Sequence, residues 1–378
     1  MNQELGIKLM QTNQSDWFSW IFFLIFITIM QFYASKLQAQ LWINEIRKAL
    51  AKLEEYTNDA TKKFVEEASK YGRPKEEVES LFKRIKGFFV IQPVTLDPFG
   101  AVKRLEHLLE SSKDHLNKFM VEIAPKADEW KRSNLRDQMS GVLALDMIYR
   151  IVRHYFILGR RTQNLIYIAQ IQMLLPEILR IAKAYWKAGE AFRRGIPIGD
   201  SIGPMVALRL MNGVEPKEVA ENIVGAEVDI EGRRSFIIKA KGPGSEVGRP
   251  GVAIERIVES REGNVSLIIM IDAAAKLEGE PTAEVVEGIG AAIGDPGPEK
   301  LRIEEVATKY KIPLHAIAIK EDPLDAITSM REEIAKSVDE VIERVKMAIR
   351  SKTLPGDFVL IAGIGNTVGV GNTMGGAS

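Results

Sequence analysis

The spacing of apolar residues divides the chain into three stretches with different grammars. The first contains "WFSWIFFLIFITIMQFYA", residues 17–34, in which none of 18 positions is charged. As a helix this run would rise about 27 Å, close to the thickness of a hydrocarbon core. Trp17 and Trp20 at one end and Tyr33 at the other suit the two bilayer interfaces. A cleavable signal would open on basic residues and close on a small-residue site. The preceding "MNQELGIKLMQTNQSD" is polar with a single lysine. The run therefore reads as an uncleaved transmembrane helix. Only Lys8 precedes it, while Lys36, Arg47, Lys48 and Lys52 follow closely. This bias predicts a single-pass membrane protein with its bulk in the cytoplasm.

From residue 36 to about 194 apolar residues recur at intervals of three and four, as in "VKRLEHLLESSKDHLNKFM". That period predicts amphipathic helices. Breaks fall at "YGRP", at "QPVTLDPFG" and at Pro125. "LALDMIYRIVRHYFILG" and "LIYIAQIQMLLPEILRIAKAYW" are the most apolar pieces, and both carry charged or polar interruptions. They read as buried bundle helices, with a second membrane association as the rival reading. His107, His115 and His154 lie in this region without metal-ligand spacing.

At "RRGIPIG" the pattern changes again. Short β-rich runs at 235–241, 265–272, 314–320 and 357–363 alternate with helical patterns near 201–212, 250–261, 301–310 and 323–350. This alternation predicts a mostly parallel sheet covered on both faces. The expected organisation is a tail and transmembrane helix (1–35), an all-α domain (36–195), and a three-layer α/β domain with a glycine-rich tail (196–378).

Composition alters this picture in two places. There is no cysteine, which excludes disulfides, thiolate nucleophiles and cysteine metal sites. The net charge of zero hides an asymmetry: residues 1–195 carry 30 Lys+Arg against 22 Asp+Glu, and the remainder carries the reverse excess. A basic front half suits an anionic surface.

Ligands of open α/β sheets bind outside the carboxyl ends of the strands, so the chemistry is sought there. Asp272 ends the aliphatic run "LIIMID", where a carboxylate is costly unless it is paired or protonated. In "GIPIGDSIGPMVALRL", Asp200 and Ser201 stand where helix caps stand, with Pro204 tolerable in the first turn. "GIGNTVGVGNT" holds Gly-x-Gly-Asn-Thr twice, and glycines there can bring backbone amides to a ligand. Gly242, Gly244 and Gly248 follow a strand and precede a helix, an imperfect dinucleotide fingerprint in which Asp272 would bind a ribose. Asp295-Pro296-Gly297 reads as a tight turn. His315, in "IPLHAIAIK", reads as a core residue.

Taken in order, "KGPGSEVGRPGVAIERIVES", "LIIMIDAAA", "AAIGDPGPEK" and "KIPLHAIAIKEDPLDAI" resemble the bacterial spore-germination protease and, more widely, the hydrogenase-maturation peptidases. "IGDSIGPM" is similar to that group's acid-x-x-Gly-Pro step, and "GIGN" to its Gly-x-Gly-Asn. In the group the second motif precedes the first; here it follows, at the far C-terminus. The resemblance thus implies a circularly permuted hydrolase fold, with strand 357–362 central and Gly365–Asn366 near Asp200. It further implies an aspartic-type peptidase or amidase. Asp200 and Asp272 would be the catalytic pair, and Gly363, Gly365 and Asn366 an oxyanion or ligand loop. No cofactor is expected; the alternative is a metal ion held by Asp200, Asp272 and His315. The chain as a whole also resembles an archaeal family of membrane-anchored proteins of unknown function. Two rival functions stay open: a nucleotide-binding module on Gly242, Gly244 and Gly248, and a non-enzymatic membrane scaffold with a degenerate hydrolase fold. Expected partners are the lipid bilayer, through 17–34, and a protein or peptide substrate; nucleic acid is not expected.

Overall fold

The computed structural model describes residues 2–86, 98–294 and 297–374. Residues 92–97 of one expected break, and the turn expected at Asp295-Pro296, lie outside them. Five helices come first: α1 (Asn2–Ala68), α2 (Lys75–Ile85), α3 (Pro98–Ile123), α4 (Glu129–Thr162) and α5 (Leu165–Arg194). The uncharged run 17–34 belongs to α1, which continues through it without a break. α1 and α5 are both long and apolar enough to cross a membrane by length and composition. The side chains of Trp17, Phe22 and Phe26 are exposed, as a lipid-facing helix would leave them. After α1, Gly72 takes the left-handed conformation that ends a helical segment.

The remaining elements are α6 (Ile202–Leu210), β1 (Lys217–Ala220), β2 (Ile223–Ile230), β3 (Arg233–Ala240), α7 (Pro250–Ser260), β4 (Leu267–Ala275), β5 (Val285–Ile289), α8 (Pro298–Tyr310), β6 (Leu314–Glu321), α9 (Glu332–Lys336), α10 (Val338–Lys352) and β7 (Phe358–Gly363). They build a seven-stranded sheet of order β1-β2-β3-β7-β4-β6-β5. The core four strands, β3, β7, β4 and β6, run parallel. β1 and β2 extend one side, and β5 the other, by antiparallel pairing. The sheet is therefore mixed, which corrects the expectation of a mostly parallel one. The missed strands have a physical reason. β2 and β3 are joined by Glu231-Gly232, both at positive φ (56° and 73°), the geometry of a two-residue hairpin. A Glu-Gly pair is a weaker signal for that turn than Asn-Gly. β5 is a short edge strand whose Ile289 is 95% exposed, so no apolar alternation marks it.

Aliphatic side chains cover both faces of the sheet. Ile237, Leu267, Ile269, Ile271, Ile317, Ile319, Val359 and Ile361 pack with α6 and α10. Ile238, Ile268, Met270, Leu360 and Ala362 pack with α7 and α8. β7 sits near the middle, between β3 and β4.

The chain forms two compact units, residues 1–55 with 147–180, and residues 56–146 with 181–378. This division cuts across the helical stretch 36–195. In the first, α4 and α5 form a hairpin in which Gly159 lies against Ile168 and Tyr167. In the second, Phe64 meets Phe82 at a ring separation of 5.3 Å, and Arg136 of α4 reaches the loop after β3.

Candidate functional site

The carboxyl ends of β4, β6 and β7 converge on the turn 199–201. Contacts with residues 325–329 fix that turn. Gly199 N–H donates to the Thr328 carbonyl (3.2 Å), and Asp200 N–H to the Ala326 carbonyl (3.0 Å). Ile198 also forms an isolated antiparallel bridge with Ser329. α6 then drops onto the sheet at Gly203. A Cβ there would lie 2.1 Å from the Ile364 carbonyl and 2.6 Å from that of Ile271, so only glycine lets the helix approach so closely. The Gly-Pro step after Asp200 is thus a packing requirement at the strand ends.

Asp200 does not cap α6. Its Oδ2 instead accepts the backbone N–H of Asn366 at 2.7 Å. Gly365, at φ 126°, lets the backbone turn there, and a Cβ on it would lie 1.9 Å from the Asp200 carbonyl. The Asp200 residue as a whole is half-buried, yet its carboxyl lies deep among protein atoms. Burial raises its pKa, and the Asn366 bond opposes that rise. Ser201 Oγ accepts from Ile198 N–H at 3.3 Å.

Asp272 projects from β4 beside Ala318 of β6 and is 6% exposed. Its Oδ2 accepts from Gly294 N–H at 3.2 Å. Burial first, and the Asp200 charge second, push its pKa up to about 8; the Gly294 and Ala273 amides act in the opposite direction. At neutral pH the group therefore holds its proton. In both carboxyls burial is the largest influence and raises the pKa, and in both a backbone amide opposes it.

A third carboxyl belongs to this cluster and was missed from sequence. Glu321 ends β6 as Asp272 ends β4, and it is 1% exposed. Among the described residues neither of its oxygens has a hydrogen-bond partner. Its carboxyl abuts the turn, since a Cβ on Gly199 would fall 2.2 Å from Oε2. Burial, then the charges of Asp200, Asp325, Asp272 and Asp322, push its pKa up to about 8. The signal was available: "LHAIAIKE" is an alternating strand that ends in an acid, which is the rule that singled out Asp272. Asp325 of the same cluster also lines a cleft of about 580 Å³ with Lys63, Trp186, Lys187, Ser329 and Arg331.

The loop after β7 holds this arrangement in place and leaves few of its groups for a ligand. Gly363 faces α6, where a Cβ would lie 2.3 Å from the Gly203 carbonyl. The Asn366 amide side chain is consumed internally: Nδ2 donates to Ser245 Oγ, and Oδ1 accepts from Val368 N–H, both at 2.8 Å. Ser245 Oγ in turn donates to Asp137 of α4, and Ser245 N–H to Asn134 Oδ1 at 2.8 Å. Of the expected oxyanion or ligand loop Gly363, Gly365 and Asn366, the two glycines thus lie against α6 and Asp200. The Asn366 N–H is bound to Asp200, so the loop positions the carboxylate.

The nucleotide reading meets the same kind of obstacle. Gly242 packs against Val370, Gly244 against Ser133 and Trp130, and Gly248 against Asn222 and Ile223, so at each glycine protein fills the space a side chain would take. The first turn of α7 is already capped: Glu299 Oε2 accepts from Gly251 N–H (2.7 Å) and Val252 N–H (3.3 Å). β3 and β4 are also separated by β7, so they are not the adjacent pair of a dinucleotide unit.

The metal alternative of Asp200, Asp272 and His315 does not assemble. His315 pairs with Ile269, three positions before Asp272 on β4, or about 10 Å along the strands. Its Nε2 lies 3.1 Å from Glu287 of the edge strand β5. Among the described residues no group of three His, Asp or Glu side chains has metal-binding geometry.

Lys239, near the end of β3, is also buried, and among the described residues it has no ion pair. Its Nζ donates to the Ala240 carbonyl (2.9 Å) and to Asn372 Oδ1 (3.1 Å), and burial lowers its pKa to about 7. Asn372 belongs to the second Gly-x-Gly-Asn-Thr copy and also bonds Gly242 N–H and carbonyl, each at 2.9 Å. This copy therefore fastens the C-terminal segment to the end of β3.

No curated protein matches the chain. Two family models do. Residues 20–195 match the N-terminal domain described as a protein of unknown function (DUF1512), and residues 198–371 match the DUF1512 C-terminal domain of unknown function. They meet just before the Asp200 turn and together span most of the sequence: the chain belongs to the DUF1512 family.

Proposed function

We propose that this protein is a membrane-anchored hydrolase of the aspartic type, acting as a peptidase or amidase. Residues 17–34 would form the anchor, with the bulk of the chain on the cytoplasmic side. The observation that carries the reading is the carboxyl pair at the strand ends: Asp200 accepts the Asn366 amide, burial raises both pKa values, and the Asp200 charge raises that of Asp272 further, so that the two would share a proton. In this reading Asp200, as the carboxylate, takes a proton from a water that attacks the amide carbon. Asp272 gives its proton to the leaving nitrogen. The similarity of "IGDSIGPM", "LIIMIDAAA" and "GIGN" to the spore-germination and hydrogenase-maturation peptidases supports the assignment. So does the position of β7 beside β4, with Asn366 against Asp200, as a permuted version of that fold requires. The polar cleft beside Asp325 offers room for a peptide substrate.

The test is to compare cytoplasmic and membrane proteomes of cells carrying wild type, Asp200→Asn or Asp272→Asn for lost cleavage products. Each variant should lose the same products. If neither changes any product, the peptidase reading fails. The scaffold reading then takes its place, favoured by the C-terminal segment that already fills the loop at Gly242 and Gly244.

A further inference from the structure

Every polar group of Ser245, in the loop after β3, is bound by α4. Its N–H donates to Asn134 Oδ1 (2.8 Å), its carbonyl accepts from Arg136 Nη2 (2.8 Å), and its hydroxyl donates to Asp137. Trp130, Ser133, Asn134 and Asp137 follow one another at intervals of three, one and three, so they share one face of the helix. Gly244 brings the loop onto that face. A Cβ there would lie 2.4 Å from Ser133 Oγ and 2.9 Å from the Trp130 Cα. Ser245 is fully buried, and a bond left unmade there is costly.

Ser245 passes this hold on to the loop after β7. Its Oγ accepts from Asn366 Nδ2 at 2.8 Å. Asn366 then gives its backbone N–H to Asp200 Oδ2 at 2.7 Å, while its Oδ1 accepts from Val368 N–H at 2.8 Å. The next residue ties the same two loops again: Thr367 N–H donates to the Glu246 carbonyl (3.0 Å) and its hydroxyl to the Gly244 carbonyl (2.8 Å). The direction of the chain of bonds is set at its α4 end. A carboxylate only accepts, so the Ser245 proton goes to Asp137 and the Ser245 lone pairs face Asn366. That choice turns Nδ2 of Asn366 toward Ser245 and Oδ1 toward Val368, and so fixes the loop whose N–H meets Asp200.

We propose that Asp137 is a positioning residue for Asp200, acting through Ser245 and Asn366. Asp137 lies in the N-terminal family domain, and Asp200, Ser245 and Asn366 lie in the C-terminal one. All four belong to the same compact unit. On this account α4 completes the carboxyl site of a domain to which it does not itself belong. The hold on the carboxylate is independent of its chemistry; the consequence for catalysis rests on the hydrolase reading.

Reversing the chain of bonds tests it. Asn366→Asp leaves Ser245 between two carboxylates with one proton to give. Adding Asp137→Asn restores a complete chain that runs the other way, from position 137 through Ser245 to position 366. Hydrogen exchange at the backbone amide of position 366 is followed on the full chain in detergent, by mass spectrometry with residue-resolving fragmentation. Asn366→Asp should speed exchange roughly ten- to a hundredfold, and the double variant should regain most of the protection. Asp137→Asn alone still accepts from Ser245 and should change little. If Asn366→Asp fails to fold, Ser245→Ala, which removes one hydroxyl, must still speed exchange. Unchanged exchange in Ser245→Ala, or a double variant no better protected than Asn366→Asp, overturns the proposal. The cleavage products lost in Asp200→Asn should follow the same pattern across the variants. Exchange that follows the reversal while Asp200→Asn loses no product upholds the positioning role and defeats the hydrolase reading alone.

Discussion

Replacing Glu321 by glutamine tests the account of the carboxyl cluster, because it keeps the shape and removes the titration. In the unfolded chain Glu321 ionises near 4.5, and in the folded protein near 8. Between these values the folded state binds a proton that the unfolded state has lost. The stabilising effect of that proton is complete below pH 4.5 and disappears as pH rises to 8. The slope is about 1.4 kcal/mol per pH unit, which over this window amounts to roughly 5 kcal/mol. Glutamine has no such slope. A buried amide without partners costs about 1–3 kcal/mol at every pH, so the informative quantity is the pH dependence. Melting of both proteins in detergent, followed by tryptophan fluorescence from pH 5 to pH 8, should show Glu321→Gln gaining on wild type throughout. The gain should be several degrees per pH unit, at about 2–4 °C per kcal/mol for a domain of this size. Parallel curves would refute the reasoning, because they would mean that Glu321 is not held neutral by burial and by its acidic neighbours.

Asp272→Asn should flatten the pH dependence in the same direction, since its carboxyl is also raised to about 8 from 3.8; an unchanged slope would contradict the shift. Lys239→Met should stabilise the protein at pH 7 and lose that advantage toward pH 10.5, because a lysine that titrates near 7 when folded opposes folding most when the unfolded chain is charged. Denaturant midpoints at the two pH values decide this. Gly365→Ala should cost at least ~2 kcal/mol and disturb Asp200, because its φ of 126° and the 1.9 Å approach to the Asp200 carbonyl leave no room for a methyl group; a wild-type midpoint would refute the close packing. Glu299→Ala should cost about 1 kcal/mol by uncapping α7; an unchanged midpoint would refute the cap.

How much of the site was legible follows from where each residue lies along the chain. Asp272 stood out because it interrupts an aliphatic strand, an anomaly that needs no partner to be visible. Glu321 carries the same mark, at the end of "LHAIAIKE". Asp200 was found through its Gly-Pro neighbourhood, though its local residues suggested a cap. Only the fold shows that its carboxylate is held by an amide 166 residues away. Ser245, Asp137 and Asn134 have no local signature, since a serine in a glycine-rich loop and two polar residues on a helix are ordinary until packing joins them.

The apolar run at 17–34, the helical period of the first half and the strand–helix alternation of the second were determined by sequence alone. They depend on the nearest neighbours of each residue and on its exposure to one solvent or another. Which strands lie side by side was decided only in three dimensions. So were the antiparallel edges, the close packing at Gly242 and Gly244, and the raised pKa values of Asp272 and Glu321. The reason is physical: register, close approach and desolvation depend on groups distant in the chain, and their energies exist only once the sheet has brought those groups together.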